Sequence, residues 1–309
     1  MMNDTQQERM AQVKSYRKIE ELIPAHWTEG EVQTNGIRQH YYRTGGDKPA
    51  VVMLHGFMEG ALSWLRVAFA LQEEYDLVMV DARGHGLSER ITGGFDYSLL
   101  REDAATFIRA LKLEKPFVLG FSQGATTGIM LTAKYPELVQ ALLVGGWSDE
   151  VNTGFAQSEG YQAWVRSYKD WLTRLKGQTH EERMLAGLSQ LPPFAPLLPE
   201  EEYVPWIEDS SRLDLSLVDR GVEMWSELED VVKETREDLE RISCPVLLMK
   251  SEYFPKPGQP KFVQEEPSDR PNLTIVRFVN TGHVIYREQF EEFVRVIREF
   301  LRKQTRAAS

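Results

Sequence analysis

Short, continuous apolar runs alternate along this chain with stretches in which apolar residues recur every three or four positions. The runs Ala50 to Leu54, Leu77 to Val80, Phe117 to Leu119 and Val139 to Val144 read as buried strands. Between and after them, Ser63 to Gln72, Leu99 to Lys112 and Ala125 to Tyr135 read as helices with one apolar face. The alternation resumes at Pro245 to Met249 and Leu273 to Phe278. It closes on Glu288 to Arg302, where Phe290, Phe293, Val294, Ile297, Phe300 and Leu301 fall on one helical face. Strands apolar throughout and separated by amphipathic helices predict an α/β fold with a mostly parallel sheet covered on both faces. Ahead of it, Gly30 to Thr34 and Ile37 to Arg43 read as two strands joined at Asn35-Gly36, a strong hairpin signal.

Two stretches break the rhythm. Residues 1–25 carry helix-forming composition with sparse apolar positions at Met10, Val13, Ile19 and Leu22, and read as an N-terminal helical arm outside the core. Residues 147–239 contain amphipathic helical patterns, such as Tyr161, Trp164, Val165, Tyr168, Trp171, Leu172 and Leu175. A proline-studded connection from Leu191 to Pro205 interrupts them. This stretch reads as a helical cap inserted over the strand ends, leaving 26–146 and 240–309 as the core.

Composition narrows the class. The chain has 309 residues, 42% hydrophobic and 27% charged, enough for a sizeable core and unlike a disordered or fibrous protein. A net charge of −11 without a basic stripe argues against a nucleic-acid partner. Cys244 is the single cysteine, so no intrachain disulfide forms and a packing role is expected for it. The N-terminus has no apolar signal-like region and no run is long enough to span a bilayer, so a cytoplasmic protein without a membrane partner is the expectation. A homodimer built through the arm is compatible with the sequence. No H-E-x-x-H pattern, Cys/His cluster or dinucleotide fingerprint is present, so neither a metal nor a cofactor is expected.

The chemistry concentrates at Gly120-Phe121-Ser122-Gln123-Gly124, which follows a strand and opens a helix. Such a turn forces the central residue into a strained backbone conformation and demands small residues two positions to either side. Ser122 is the candidate nucleophile. A serine hydroxyl needs a base, and His283 stands on a loop after the strand Leu273 to Phe278, at the sheet edge where the elbow lies. The oxyanion formed in acyl transfer would rest on backbone N–H groups of Gln123 and of Phe57, in the loop His55-Gly56-Phe57-Met58 where Gly56 permits close approach. His55 and His85 sit among glycines and read as structural turn residues. His26, His40 and His180 have no motif context.

These residues resemble the α/β-hydrolase fold family, and the resemblance covers nearly the whole chain. It is carried by His55-Gly56-Phe57, Asp81-Ala82-Arg83-Gly84-His85-Gly86-Leu87-Ser88, the Ser122 elbow, Ile242-Ser243-Cys244-Pro245-Val246-Leu247-Leu248-Met249 and Gly282-His283. The resemblance implies an eight-stranded, mostly parallel sheet, a helical cap after the sixth strand, and a triad in the order nucleophile, acid, histidine. It also implies a structural role for Asp81; Asp96 and Asp103 look like helix-start and helix-surface residues.

The chain departs from the family at the acid. Phe254 occupies the slot after the seventh strand where an aspartate usually stands. Two carboxylates remain open as substitutes: Glu252 on the same turn, with a longer side chain, and Asp149 after the sixth strand. Substrate contacts are expected from Gly56, Met58, Trp64, Trp147 and Trp164, the aromatic ones suggesting a bulky apolar or aromatic small molecule. The expectation is therefore a carboxylic-ester hydrolase acting on an ester or lactone through an acyl-enzyme. A carbon–carbon bond hydrolase of the same fold or a weakly catalytic receptor are its alternatives. Epoxide hydrolases and haloalkane dehalogenases share the His-Gly-Phe loop but need a carboxylate at the elbow, where this chain has Ser122.

Overall fold

The computed structural model describes residues 4–91, 93–148, 158–192, 196–226, 228–252, 256 and 258–308. Its centre is a nine-stranded sheet: β1 (Thr28–Thr34), β2 (Ile37–Arg43), β3 (Ala50–Leu54), β4 (Asp76–Val80), β5 (Phe117–Phe121), β6 (Leu142–Gly145), β7 (Val246–Ser251), β8 (Phe262–Glu266) and β9 (Leu273–Val279). The spatial order is β1-β2-β4-β3-β5-β6-β7-β9-β8. From β4 through β3, β5, β6 and β7 to β9 every pairing is parallel, while β1–β2, β2–β4 and β8–β9 are antiparallel.

Side chains of successive strand residues point to opposite faces, which explains why the central strands are apolar without interruption. Val51, Met53, Leu77, Met79, Leu119 and Phe121 enter one hydrophobic cluster, and Val52, Leu54, Val78, Val80, Val118 and Val144 enter the other. The first face is covered by α3 (Leu65–Leu71) and α12 (Phe290–Ala308), whose Leu65, Phe293, Ile297 and Leu301 are fully buried. The second is covered by α4 (Tyr97–Ala110) and α5 (Gln123–Lys134), through Phe107, Ile108 and Ile129. The strand order reverses at β3, with β4 on one side and β5 on the other. Their carboxyl ends therefore frame a topological switch point, where open α/β sheets present their ligands.

Eight strands were expected, and the ninth is β8. Its sequence Phe262-Val263-Gln264-Glu265-Glu266 lacks the apolar signature of a buried strand because it lies on the sheet edge, where Phe262 is 46% exposed. Short, charged edge strands discourage pairing with other chains.

Between β6 and β7 run α6 (Glu159–Leu175), α7 (His180–Gly187), α8 (Glu200–Arg212), α9 (Leu215–Ser226) and α10 (Leu228–Arg241). α8 packs on α3 and on the short 3-10 turn Ala61–Trp64, beyond the carboxyl end of β3. α10 behaves differently. It packs against α5, and its Leu239 joins the second hydrophobic cluster. That helix thus shares the core layer, although its sequence falls inside the expected cap.

The N-terminal segment also differs from expectation. Val13 of α1 (Asp4–Lys14) and Ile19 and Leu22 of the short helix α2 (Ile19–Leu22) are buried within the main core cluster, and α1 lies against α7. Arg17 makes two hydrogen bonds to Glu200 Oε2 at 3.0 and 2.7 Å, Lys14 pairs with Glu181 at 2.7 Å, and the Tyr16 hydroxyl donates to the Leu198 carbonyl. The arm straps the inserted helices. Its few apolar positions sufficed because three of the four, Val13, Ile19 and Leu22, are nearly inaccessible to solvent.

Candidate active site

Ser122 sits between β5 and α5 with φ 51° and ψ −114°, a conformation costly for a residue with a Cβ. The surroundings hold it there. Its N–H donates to the Gly145 carbonyl at 2.8 Å, and its carbonyl accepts from Ala125 and Thr126 at 3.0 and 3.1 Å. A Cβ on Gly120 would approach the Gly124 carbonyl oxygen to 2.3 Å, and one on Gly124 would approach the Leu54 carbonyl oxygen to 2.1 Å. Both glycines are steric requirements of the turn. Because α5 begins at Gln123, that residue's N–H has no acceptor within the helix and lies at the positive end of the helix dipole.

The loop after β3 is fixed by hydrogen bonds around it. Ala82 N–H donates to His55 Nε2 at 3.0 Å, so the ring proton resides on Nδ1 and is donated to the Gly56 carbonyl at 2.7 Å. Glu59 N–H donates to the same carbonyl at 3.2 Å. In a trans peptide the carbonyl and the following N–H point in opposite directions, so holding the Gly56 oxygen aims the Phe57 N–H the other way. His85 lies between the carbonyl oxygens of Phe57 and Arg83, and burial pushes its pKa down to about 4, keeping it neutral. Asp81 accepts the N–H groups of Ala61 and Leu87 at 2.7 and 3.0 Å and faces His40 Nδ1 at 2.9 Å. His55, His85 and Asp81 all hydrogen-bond to loop backbone, which fits the turn roles expected of the two histidines from their glycine neighbours and the structural role that the family resemblance implied for Asp81.

His283 lies after β9, and its ring centroid stands 5.1 Å from that of Phe121, the residue before Ser122. The two sequence-distant candidates thus share one end of the sheet. Burial pulls the His283 pKa below its ordinary value, and the charge of Glu59 opposes that effect only in part. A neutral imidazole at pH 7 is the form able to accept a proton.

Glu252 directly follows β7. Its N–H donates to the Thr281 carbonyl at 2.9 Å, and its Oε2 accepts the Asn280 N–H at 3.1 Å. Its carboxylate therefore lies against the loop that carries His283. Phe254 and Asp149 lie outside the described residues.

The other sequence candidates are distributed unevenly. Phe57 and Met58 pack against the main core cluster, with Phe57 near Phe95 and Gly221 of α9 close against its ring. Trp64 is buried against Tyr286, with ring centroids 5.3 Å apart. Trp147 joins the cluster on the α5 side of the sheet, its Nε1 donating to Thr235 at 3.3 Å. Trp164 is 46% exposed and stacks on Tyr168 along α6. For these last two, packing on a helix face accounts for the aromatic side chain.

Asp96 caps α4, accepting the Leu99 N–H at 2.8 Å, as expected. Asp103 is not a surface residue. It is 2% exposed and makes two 2.5 Å hydrogen bonds with Arg83, plus one with Asn35 at 2.9 Å. Its helical spacing said nothing of Arg83, which reaches it from a different loop. Burial pushes the Cys244 thiol up to about 11, consistent with an inert packing role.

Three charged or polar groups beside the site escaped the sequence reading: Glu59, Tyr286 and Arg287. Glu59 Oε2 accepts the Gly56 N–H at 2.9 Å; its Oε1 accepts the Tyr286 hydroxyl proton and faces Arg287 at 3.4 Å. The available signal was position, since Glu59 lies two residues after Phe57 and Tyr286 and Arg287 follow His283 by three and four.

The sequence profile of the alpha/beta hydrolase fold matches residues 49–289, and the chain belongs to that family. A protein of Haemophilus influenzae named "Putative esterase/lipase" is 24% identical over 277 residues, covering 85% of this chain and 87% of that protein. N-formylmaleamate deformylase of Pseudomonas putida is 36% identical over 117 residues, 37% of this chain and 43% of the deformylase. Epoxide hydrolase 1 of Caenorhabditis elegans is 27% identical, over 47% of this chain and 36% of its own length. Among solved structures, an N-formylmaleamic acid deformylase from Pseudomonas putida superimposes with a TM-score of 0.66 at 19% identity. That alignment covers 87% of this chain and all of the other. An epoxide hydrolase from Vigna radiata gives 0.62 at 20% identity, covering 90% and 98%. At these identities the structures establish the fold, while the family and its relatives support hydrolase activity. No helix among the described residues is long and apolar enough to cross a membrane.

Proposed function

We propose that this protein is a cofactor-free serine hydrolase that cleaves an ester or lactone of a bulky apolar or aromatic small molecule through an acyl-enzyme. The observation that carries the reading is the backbone of Ser122, held at φ 51° by two glycines that no larger residue could replace. Strain of this kind persists where the surroundings over-determine it, and it puts the side chain at the head of α5.

In this mechanism Ser122 Oγ attacks the substrate carbonyl carbon while His283 takes the hydroxyl proton. The N–H groups of Phe57 and Gln123 receive the oxyanion; removing one such donor typically costs ~10²–10³ in rate. The intermediate collapses as His283 returns the proton to the leaving alcohol. Water, deprotonated by the same imidazole, then releases the acid and restores Ser122. Glu252 is the carboxylate assigned to orient His283, supported by its bond to the Asn280 N–H in the same loop. Asp149 stays as its alternative. Phe57, Met58 and Trp64 supply the apolar surroundings for the acyl or leaving group.

A second reading is favoured by the deformylases found both among the sequence relatives and among the structures: the same serine machinery would hydrolyse an amide or formamide. Turnover of a panel of short and aromatic esters, lactones and formamides by the wild type and S122A tests both. The first reading expects the aromatic esters or lactones to be hydrolysed fastest, with activity abolished in S122A. Equal or better turnover of short acetyl esters overturns the bulky-substrate assignment, faster turnover of formamides supports the second reading, and an active S122A overturns the serine mechanism.

A further inference from the structure

Glu59 has no part in the mechanism above, yet its carboxylate is 12% exposed and saturated with contacts. One oxygen accepts the N–H of Gly56, the residue that precedes the oxyanion donor Phe57. The other accepts the hydroxyl proton of Tyr286 and faces the Arg287 guanidinium, on the short helix α11 (Ile285–Glu288) that follows His283. One side chain therefore ties together two loops that are more than two hundred residues apart in the chain. The tie depends on close approach. A Cβ on Gly56 would come within 2.8 Å of the same Glu59 oxygen.

We infer that Glu59 is a positioning residue for acyl transfer, locking the Phe57 N–H and the His283 ring into one frame and setting negative charge opposite the imidazolium as it forms. The inference rests on the Ser122–His283 reading.

The groups around Glu59 come from several elements, and their charges decide the sign of the effect. Tyr286 and Arg287 face it from α11, while Tyr168 of α6 and Asp209 of α8 lie within range of its charge. Burial, reinforced by the nearby charge of Asp81, raises the Asp209 carboxyl well above its usual range. Arg287 remains charged, and Glu202, itself paired with Arg66, adds a further carboxylate field to it. The charge of Glu59 acts on His283 in the direction that favours the imidazolium. Replacing Glu59 by a neutral group removes the charge that partly offsets the burial of the imidazole, whereas removing the Arg287 cation, 3.4 Å from Glu59, leaves that charge less neutralised.

The test compares wild type, E59Q, R287Q and S122A on the best ester found in the panel, following kcat and KM across pH together with thermal melting. Glutamine at 59 keeps an oxygen for the Gly56 N–H but removes the charge. The acid limb of kcat/KM should move down by about one unit in E59Q, which loses the opposite charge acting on the imidazole, and up in R287Q, where Glu59 loses the cation that partly neutralises it. E59Q should also lose roughly tenfold or more in kcat with KM little changed, the pattern of an interaction made mainly in the transition state. Acid limbs that stay at the wild-type value in folded variants, or that move the same way in both, overturn the inference. If E59Q fails to fold, the shift in R287Q alone decides it: upward supports, unmoved overturns. An active S122A would instead remove the serine reading beneath it.

Discussion

In the proposed reaction the ionisation of single side chains decides when the site can work. Because burial lowers the His283 pKa, its neutral form persists to more acidic pH than that of a free imidazole, whose pKa is about 6.5. The acid limb of a kcat/KM–pH profile is accordingly expected below that value, and a limb above it would contradict the environment described for the ring. The acid can be assigned by comparing two variants. E252Q should lower kcat by up to ~10⁴, the loss seen when the orienting carboxylate of a serine protease triad is neutralised, whereas D149N should cost far less. Steady-state kinetics on one ester suffice, and the reverse order would move the role to Asp149. At this scale the sequence was informative where chemistry is local. The elbow advertises Ser122 through its own glycines, and Gly282-His283 stands in the short loop just after a strand. Glu59 was invisible because its partners Tyr286 and Arg287 come from the far end of the chain, and no local pattern reports such a meeting.

Helices and loops meet in this protein at tolerances a single methyl group can break. α8 rests on the loop after β3 at Gly60, where an added Cβ would lie 2.5 Å from the Asp209 carboxyl carbon. G60A is expected to cost about 1–3 kcal/mol, the usual range for overpacking a filled interior. Combining it with D209A should cost less than the two single changes together, because each removes the clash or the space it needs. Thermal melting of the four proteins checks this, and strictly additive shifts would mean that α8 does not press on Gly60. Elements of this kind were legible where their burial was symmetric. The strands β3 to β7 are apolar on both faces and could be read directly. β8 could not, since an exposed edge strand carries little apolar signal. α10 had the amphipathic pattern of its neighbours, and periodicity alone does not say which face of the sheet a helix will cover.

For the molecule as a whole, the hairpin β1–β2 is joined to the sheet's carboxyl edge by His40, buried between Asp81 at 2.9 Å and Glu29 at 3.1 Å. Burial alone would lower the His40 pKa, but the two carboxylates outweigh it and the net shift is upward. A group whose folded pKa is raised gives stability that is fully present below its unfolded value, about 6.5, and is lost as pH rises through the folded value. The difference in melting temperature between wild type and H40Q should therefore be largest below pH 6.5 and shrink as pH rises above it. A difference that grows with pH would contradict the assignment. The sequence offered no motif for His40, because its role exists only once β1, β2 and the Asp81 loop are assembled. The same holds for the N-terminal arm, whose buried Val13, Ile19 and Leu22 serve contacts with elements far along the chain.

All of these scales converge on one hydroxyl, and covalent trapping tests it most directly. Treating the protein with a fluorophosphonate and mapping the adduct by peptide mass spectrometry should find a single modification, on Ser122, absent from S122A and slowed at pH values where His283 is protonated. No adduct under conditions that modify ordinary esterases, or an adduct on another residue, would contradict the serine-hydrolase account.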